Sequence, residues 1–153
     1  MRVSRKQVEE NKQTILTAAG RLFRERGFDA VTVTDIMKSA GLTHGGFYGY
    51  FKSKDDLIAQ TLAELKIESE AADNDVELLI ARYLSPEHRD NFASGCPLAA
   101  LAAETIRQSE SARDEMTARL QQQIAYLSEA INEKNPEKRR RAAIGNWSAM
   151  VGA

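Results

Sequence analysis

The chain has 153 residues, 42% of them hydrophobic and 28% charged, with a net charge of −1, which suits one globular domain or two very small ones. It contains no run of about 18 apolar residues, which excludes a membrane-spanning helix, and the basic start "MRVSRKQVEEN" lacks the apolar segment of a signal peptide. A lone cysteine, Cys96, excludes an internal disulfide and fits a reducing, cytoplasmic compartment.

The near-neutral total hides a division. Residues 1–54 carry ten Lys or Arg against five acids, a net +5, which leaves −6 for the rest. A basic front and an acidic rear suggest that the front meets a polyanion.

The first predicted element covers residues 7–26, where Ile15, Ala18, Ala19, Leu22 and Phe23 recur at helical spacing. Arg24 and Arg26 suit its last turn, Gly27 its stop, and Phe28 packs back beneath it. In "TVTD", Thr32 and Asp35 form a capping box that opens a short helix through Ile36, Met37 and Ala40, ended by Gly41. Thr43 is then the expected N-cap of a third helix bearing Phe47, Tyr48, Tyr50 and Phe51. Ser53 and Asp56 repeat the capping logic for a longer helix through Leu57, Ile58, Thr61, Leu62 and Leu65. Beyond it, residues 75–84 read as helix, stopped by Ser85-Pro86. Pro97 opens another, where its missing N–H costs nothing. A long amphipathic segment spans 111–134, and Pro136 starts a last helix containing the basic patch "KRRR" at 138–141. No stretch alternates with period two. The expected fold is all-α, with three helices over residues 1–56 and an antiparallel set of helices over 57–153.

Two short helices joined by a turn at Gly41 make a helix-turn-helix, whose second helix is the one offered to the major groove. Glycine costs about 1 kcal/mol relative to alanine inside a helix, so Gly45, Gly46 and Gly49 make this second helix weak by itself. Its aromatics must hold it in place, with Phe47 and Phe51 as the inward pair. The glycines leave a bare surface on which backbone approaches phosphates and base edges. Lys54 fits the same picture, because a cation in the first turn of a helix opposes the macrodipole and beside Lys52 makes sense with phosphate as partner.

The stretch "TVTDIMKSAGLTHGGFYGYFKSKDDLI" resembles the DNA-binding domain of the TetR family of transcriptional regulators, strongly over residues 10 to 60. The resemblance implies that Thr32 and Thr43 cap helices and touch phosphates, that His44, Gly45 and Gly46 face base edges, and that Tyr48, Tyr50 and Lys54 contact the DNA backbone. Two positions depart from the family pattern: residue 44, often lysine, is histidine, and residue 46, often bearing a hydroxyl or methyl group, is glycine. The resemblance further implies a ligand-responsive regulator, a repressor, that binds palindromic operator DNA as a homodimer and releases it when a small-molecule inducer enters the C-terminal domain. The family dimerises through two C-terminal helices, and this chain stops at "WSAMVGA" inside the first of them, so the regulatory domain is expected to be incomplete.

The expected ligand-binding residues are Leu62, Leu65, Tyr83, Phe92, Leu101, Met116, Leu120 and Trp147, all of which a plain helical core would also contain. Cys96, just before Pro97 at a helix start, is a candidate redox sensor, because a helix N-terminus stabilises a thiolate; the alternative is a small buried hydrophobe. Catalysis is not expected. His44 and His88 are the only histidines, no phosphate-binding glycine loop follows a strand, and no Cys/His metal spacing or cofactor motif occurs. Two other readings remain open, a constitutive DNA-binding protein without an inducer and a helical protein-interaction module. Duplex binding and ligand-induced release separate them.

Overall fold

The computed structural model describes residues 4–65 and 75–153. Among them every regular element is helical. Helix α1 spans Arg5–Arg26, with the Ser4 side chain accepting the Gln7 N–H at 3.2 Å. Gly27 ends it at φ +80, a left-handed backbone that favours glycine, and donates its N–H to the Phe23 carbonyl. Helix α2 covers Val33–Ser39 and carries the expected capping box between Thr32 and Asp35.

The turn after α2 closes in a Schellman arrangement. Gly41, at φ +72, donates to the Lys38 carbonyl at 3.1 Å, and the Leu42 N–H reaches the Met37 carbonyl at 2.9 Å. Leu42 also packs against the core that contains Met37, the apolar contact that usually accompanies this motif.

Helix α3, Lys54–Glu64, begins at Ser53, whose hydroxyl accepts the Asp56 N–H. Helix α4 is Val76–Tyr83 and α5 is Pro86–Asp90. The Ser85-Pro86 pair, expected only to stop a helix, also starts one, because the Ser85 hydroxyl accepts the His88 N–H and proline suits the first helical position. A 3-10 turn, Phe92–Ser94, leads into α6, Pro97–Thr105. Helix α7 is Glu110–Glu129, five residues shorter at its end than the 111–134 amphipathic pattern suggested, and α8 is Pro136–Val151. Asn135, extended as residues before proline tend to be, caps α8 by accepting the Glu137 and Lys138 N–H groups.

One apolar core runs through these elements, from Ile15 in α1 to Met150 in α8. Helix α3 is its hub and packs on both α1 and α7. Its Leu57, Ile58 and Leu62 are buried, each contributing about 1.5–3 kcal/mol over an exposed position. The division expected at residues 56 and 57 falls in the first turn of this helix. No helix of the described residues is long and apolar enough to cross a membrane.

Candidate nucleic-acid interface

The segment that follows the α2 turn is the expected recognition element, but it is not an α-helix. His44–Gly49 forms a 3-10 helix, with the Gly46 N–H bonded to the Thr43 carbonyl and the Tyr50 N–H to the Phe47 carbonyl. Three glycines in six residues account for the tighter, shorter turn, since each weakens the α-helical alternative. The expected Thr43 cap also differs. Thr43 stands at the N-cap position, but its side chain bonds no backbone N–H, and the residue is exposed.

Aromatic side chains hold this weak element down. Phe47 and Phe51 are buried and stacked, with ring centroids 5.6 Å apart, and Phe47 meets Tyr48 edge-on at 5.2 Å. Tyr50 is tied to α1, its hydroxyl accepting a hydrogen bond from Asn11 Nδ2 at 3.0 Å. Tyr50, expected to contact the DNA backbone, is thus engaged inside the domain, and its hydroxyl keeps its own proton for a second partner. Sequence reasoning missed Asn11, because 39 residues separate the pair.

With Phe47 inside and three positions lacking side chains, His44 and Tyr48 are the outward side chains of the segment. Tyr48 is 73% exposed. An added Cβ at Gly45 or Gly49 would meet nothing within 4 Å, so the face is bare, as expected. His44 Nδ1 lies 3.1 Å from the Thr34 hydroxyl of α2, a partner that sequence reasoning also missed. Thr32 does cap α2, accepting the Asp35 N–H at 3.1 Å and donating its hydroxyl to the Asp35 carboxylate at 2.6 Å. The Thr32 hydroxyl and backbone N–H hold the Asp35 carboxyl below its usual 3.8.

Lys54, expected at the DNA backbone, has a partner inside the domain. Its Nζ donates to the Phe28 carbonyl at 2.6 Å, and the residue is half-buried. The cation that opposes the α3 dipole thus has an intramolecular acceptor, and phosphate is not needed to explain it. Lys52 is exposed beside it. The other backbone polar group of Phe28 is held as well, with the Glu104 carboxylate of α6 accepting the Phe28 N–H at 2.8 Å.

The expected ligand-binding residues do not converge on one cavity. A cleft of about 520 Å³ lies between α1 and residues 82–97, and Leu65 is the expected residue on its wall; Arg24, Glu64, Arg82 and His88 make it more polar than foreseen. A neighbouring cleft of about 560 Å³ is lined by Tyr83, Phe92, Cys96 and Met150 among others. Leu62, Leu65 and Met116 border a gap of about 10 Å³, too small for a ligand. Leu101 is wholly buried, Trp147 packs edge-on to Tyr83 at 5.1 Å, and Leu120 is exposed; none of these three lines the clefts above. Phe92 is 68% exposed. Cys96 occupies the N-cap position of α6 without a side-chain cap and is only 3% exposed, the burial of a packing residue. Among the described residues no cluster of three or more His, Cys, Asp or Glu is placed to hold a metal.

Comparison with known proteins points the same way as this geometry. Residues 15–61 match the model for bacterial regulatory proteins of the tetR family. The HTH-type transcriptional regulator AcrR of Shigella flexneri is 34% identical over 77 residues, 46% of this chain and 36% of that protein. The HTH-type transcriptional repressor BepR of Brucella suis is 31% identical over 86 residues, 56% of this chain and 39% of that protein. The aligned part thus spans little more than a third of these relatives. A TetR-family transcriptional regulator from Agrobacterium tumefaciens superposes with a TM-score of 0.78 at 21% identity, over 95% of this chain and 86% of that one, a likeness of fold.

Proposed function

From its membership of the TetR family of bacterial regulatory proteins, carried by residues 15–61, we propose that this chain is a transcriptional regulator that binds operator DNA through the 3-10 segment His44–Gly49. The observation that carries the proposal is the build of that segment, clamped inward by Phe47 and Phe51 and bare outward at Gly45 and Gly49. A structural helix of this length gains nothing from such bareness; a surface pressed into a major groove does. His44 and Gly45 face base edges, with Gly46, half-buried, behind them. Thr32, Thr43, Tyr48 and Lys52 contact the DNA backbone, and Tyr50 contributes its remaining proton there. The net +5 of residues 1–54 supplies the attraction to phosphate.

In this reading residues 1–56 bind DNA and residues 57–153 carry regulation. The protein acts in the cytoplasm as a homodimeric repressor on a palindromic operator, and a small molecule that enters the clefts beside Leu65 and Tyr83 releases it. Ligand release is favoured over constitutive binding by those clefts, each large enough for a small molecule. Selection of duplexes from a random pool, followed by gel-shift titration, tests the DNA reading. Enrichment of an inverted repeat with half-sites about one helical turn apart or somewhat more is the expected result. Failure to enrich any sequence at low salt refutes it.

A further inference from the structure

The recognition segment has few side chains with which to read sequence. Phe47 is buried, and Gly45, Gly46 and Gly49 have none to offer. That leaves Tyr48, whose hydroxyl both donates and accepts and therefore discriminates poorly, and His44. An exposed histidine ring on a glycine-flanked turn would ordinarily rotate freely. Here Nδ1 is held 3.1 Å from the Thr34 hydroxyl, and Thr34 is fixed by lying in the first turn of the capped helix α2.

Given the DNA-binding role proposed above, we infer that Thr34 is a positioning residue for His44 and that the pair reads a guanine in each half-site. The chemistry follows from the proton inventory of the ring. When the neutral ring accepts the Thr34 hydroxyl proton at Nδ1, the ring proton sits on Nε2, so Nε2 is a donor. When the ring is charged, Nδ1 donates to the Thr34 oxygen and Nε2 is again a donor. In both states the outward nitrogen offers an N–H. In the major groove guanine presents two adjacent acceptors, N7 and O6, whereas adenine sets an amino donor beside its N7. A lone donor is therefore best met by guanine. The third state, Nδ1–H donated to Thr34 with Nε2 as acceptor, places a lone pair toward a groove rich in negative potential and is disfavoured there.

The experiment is parallel duplex selection with the parent protein and the variants Thr34→Val, Thr34→Ser, His44→Ala and Thr34→Val/His44→Ala, each first shown to melt like the parent. The parent is expected to enrich a guanine in each half-site, and His44→Ala to abolish the enrichment. Thr34→Val, which keeps the shape but loses the hydroxyl, should reduce the preference about three- to tenfold, and Thr34→Ser should restore it. The slope of log affinity against log salt should stay the same throughout, because no phosphate contact is touched. In the His44→Ala background, Thr34→Val should change nothing further. Three results overturn the inference: no guanine position that depends on His44, an undiminished preference in Thr34→Val, or an equal effect of Thr34→Val with and without His44. If the parent enriches no duplex at all, the DNA-binding reading fails with it, and the two failures are distinct.

Discussion

The Gly27–Phe28 turn offers a prediction that can be worked through in energy. Two oxygens of the Glu104 side chain crowd this turn. One accepts the Phe28 N–H at 2.8 Å, and a Cβ placed on Gly27 would lie 2.5 and 2.6 Å from the two oxygens. Glu104→Ala removes a charge-assisted hydrogen bond, worth about 1.5–3 kcal/mol in favourable settings. Because the Glu104 side chain is only half-buried and water can reach the freed N–H, we expect a loss of about 1–2 kcal/mol. For a chain of this length, that lowers the melting temperature by about 2–8 °C.

Gly27→Ala should be worse than Glu104→Ala, for two reasons. The φ of +80 strains any residue with a Cβ, at about 1–2 kcal/mol, and the new methyl displaces the carboxylate and breaks the same hydrogen bond. The two changes therefore overlap. In the double variant the clash is gone and only the backbone strain adds to the lost bond, so the combined loss should fall short of the sum by the shared bond, about 1–2 kcal/mol. Urea unfolding followed by circular dichroism measures all four corners of the cycle. Strict additivity, or a Glu104→Ala loss below about 0.3 kcal/mol, would refute the reasoning.

Lys54→Ala should lower stability by about 1 kcal/mol through its lost bond to the Phe28 carbonyl while leaving the salt dependence of DNA affinity almost unchanged; Lys52→Ala should instead reduce the salt slope by about 1 per subunit with little change in melting. Salt-titrated gel shifts and thermal melts separate the two. Tyr50→Phe should cost about 0.5–1.5 kcal/mol in a urea titration by orphaning the Asn11 amide, more than Tyr48→Phe, whose hydroxyl is exposed. Asp35 has its folded pKa lowered by the Thr32 hydroxyl and N–H, so its contribution is complete above 3.8 and is lost as pH falls through the lower folded value. Asp35→Asn should therefore destabilise the protein at neutral pH, and the gap from the parent should close below about pH 4 in acid titrations of the melting temperature.

Local signals in the sequence carried much of this fold. The Thr32–Asp35 box, the Ser53–Asp56 cap, Gly27, Gly41 and Pro136 each act within four residues of themselves, and each stands where its chemistry places it. The need to clamp a glycine-weakened helix likewise pointed to the inward pair Phe47 and Phe51. What was not legible depends on contacts across the chain. Lys54 lies 26 residues from the carbonyl that it binds, and Glu104 lies 76 from the Phe28 N–H, so nothing near either one reveals its partner. The choice of 3-10 over α for His44–Gly49 follows from glycine content together with how the aromatics pack, and only the first of these is written locally. Periodicity marks an inward face without telling a solid core from a cleft wall. That is why Leu101 and Trp147 were grouped with Leu65 and Tyr83.

The same contacts explain why a division of this chain at one residue is less physical than its helices suggest. Glu104 lies in the last turn of a nine-residue helix, Pro97–Thr105, and Pro97 and its neighbour Cys96 line clefts. Seven residues of helix separate Pro97 from Glu104, about 10 Å of rigid rod. The wall of a cleft and the acceptor that grips the Phe28 N–H therefore belong to one element. Arg24 near the end of α1 makes a second link, donating from Nε to the Ala93 carbonyl at 2.8 Å while also lining both clefts. Phe28 in turn packs edge-on to Phe23 at 5.1 Å and precedes the capping box that sets α2. From the cleft wall to Phe28 the links are a short helix and a hydrogen bond, residues 29–31 carry the chain on to the capping box of α2, and Thr34 on α2 meets His44 at 3.1 Å. A displacement of α6 cannot leave the Gly27–Phe28 turn untouched, because a 2.8 Å bond lengthened by about 1 Å is no longer a bond.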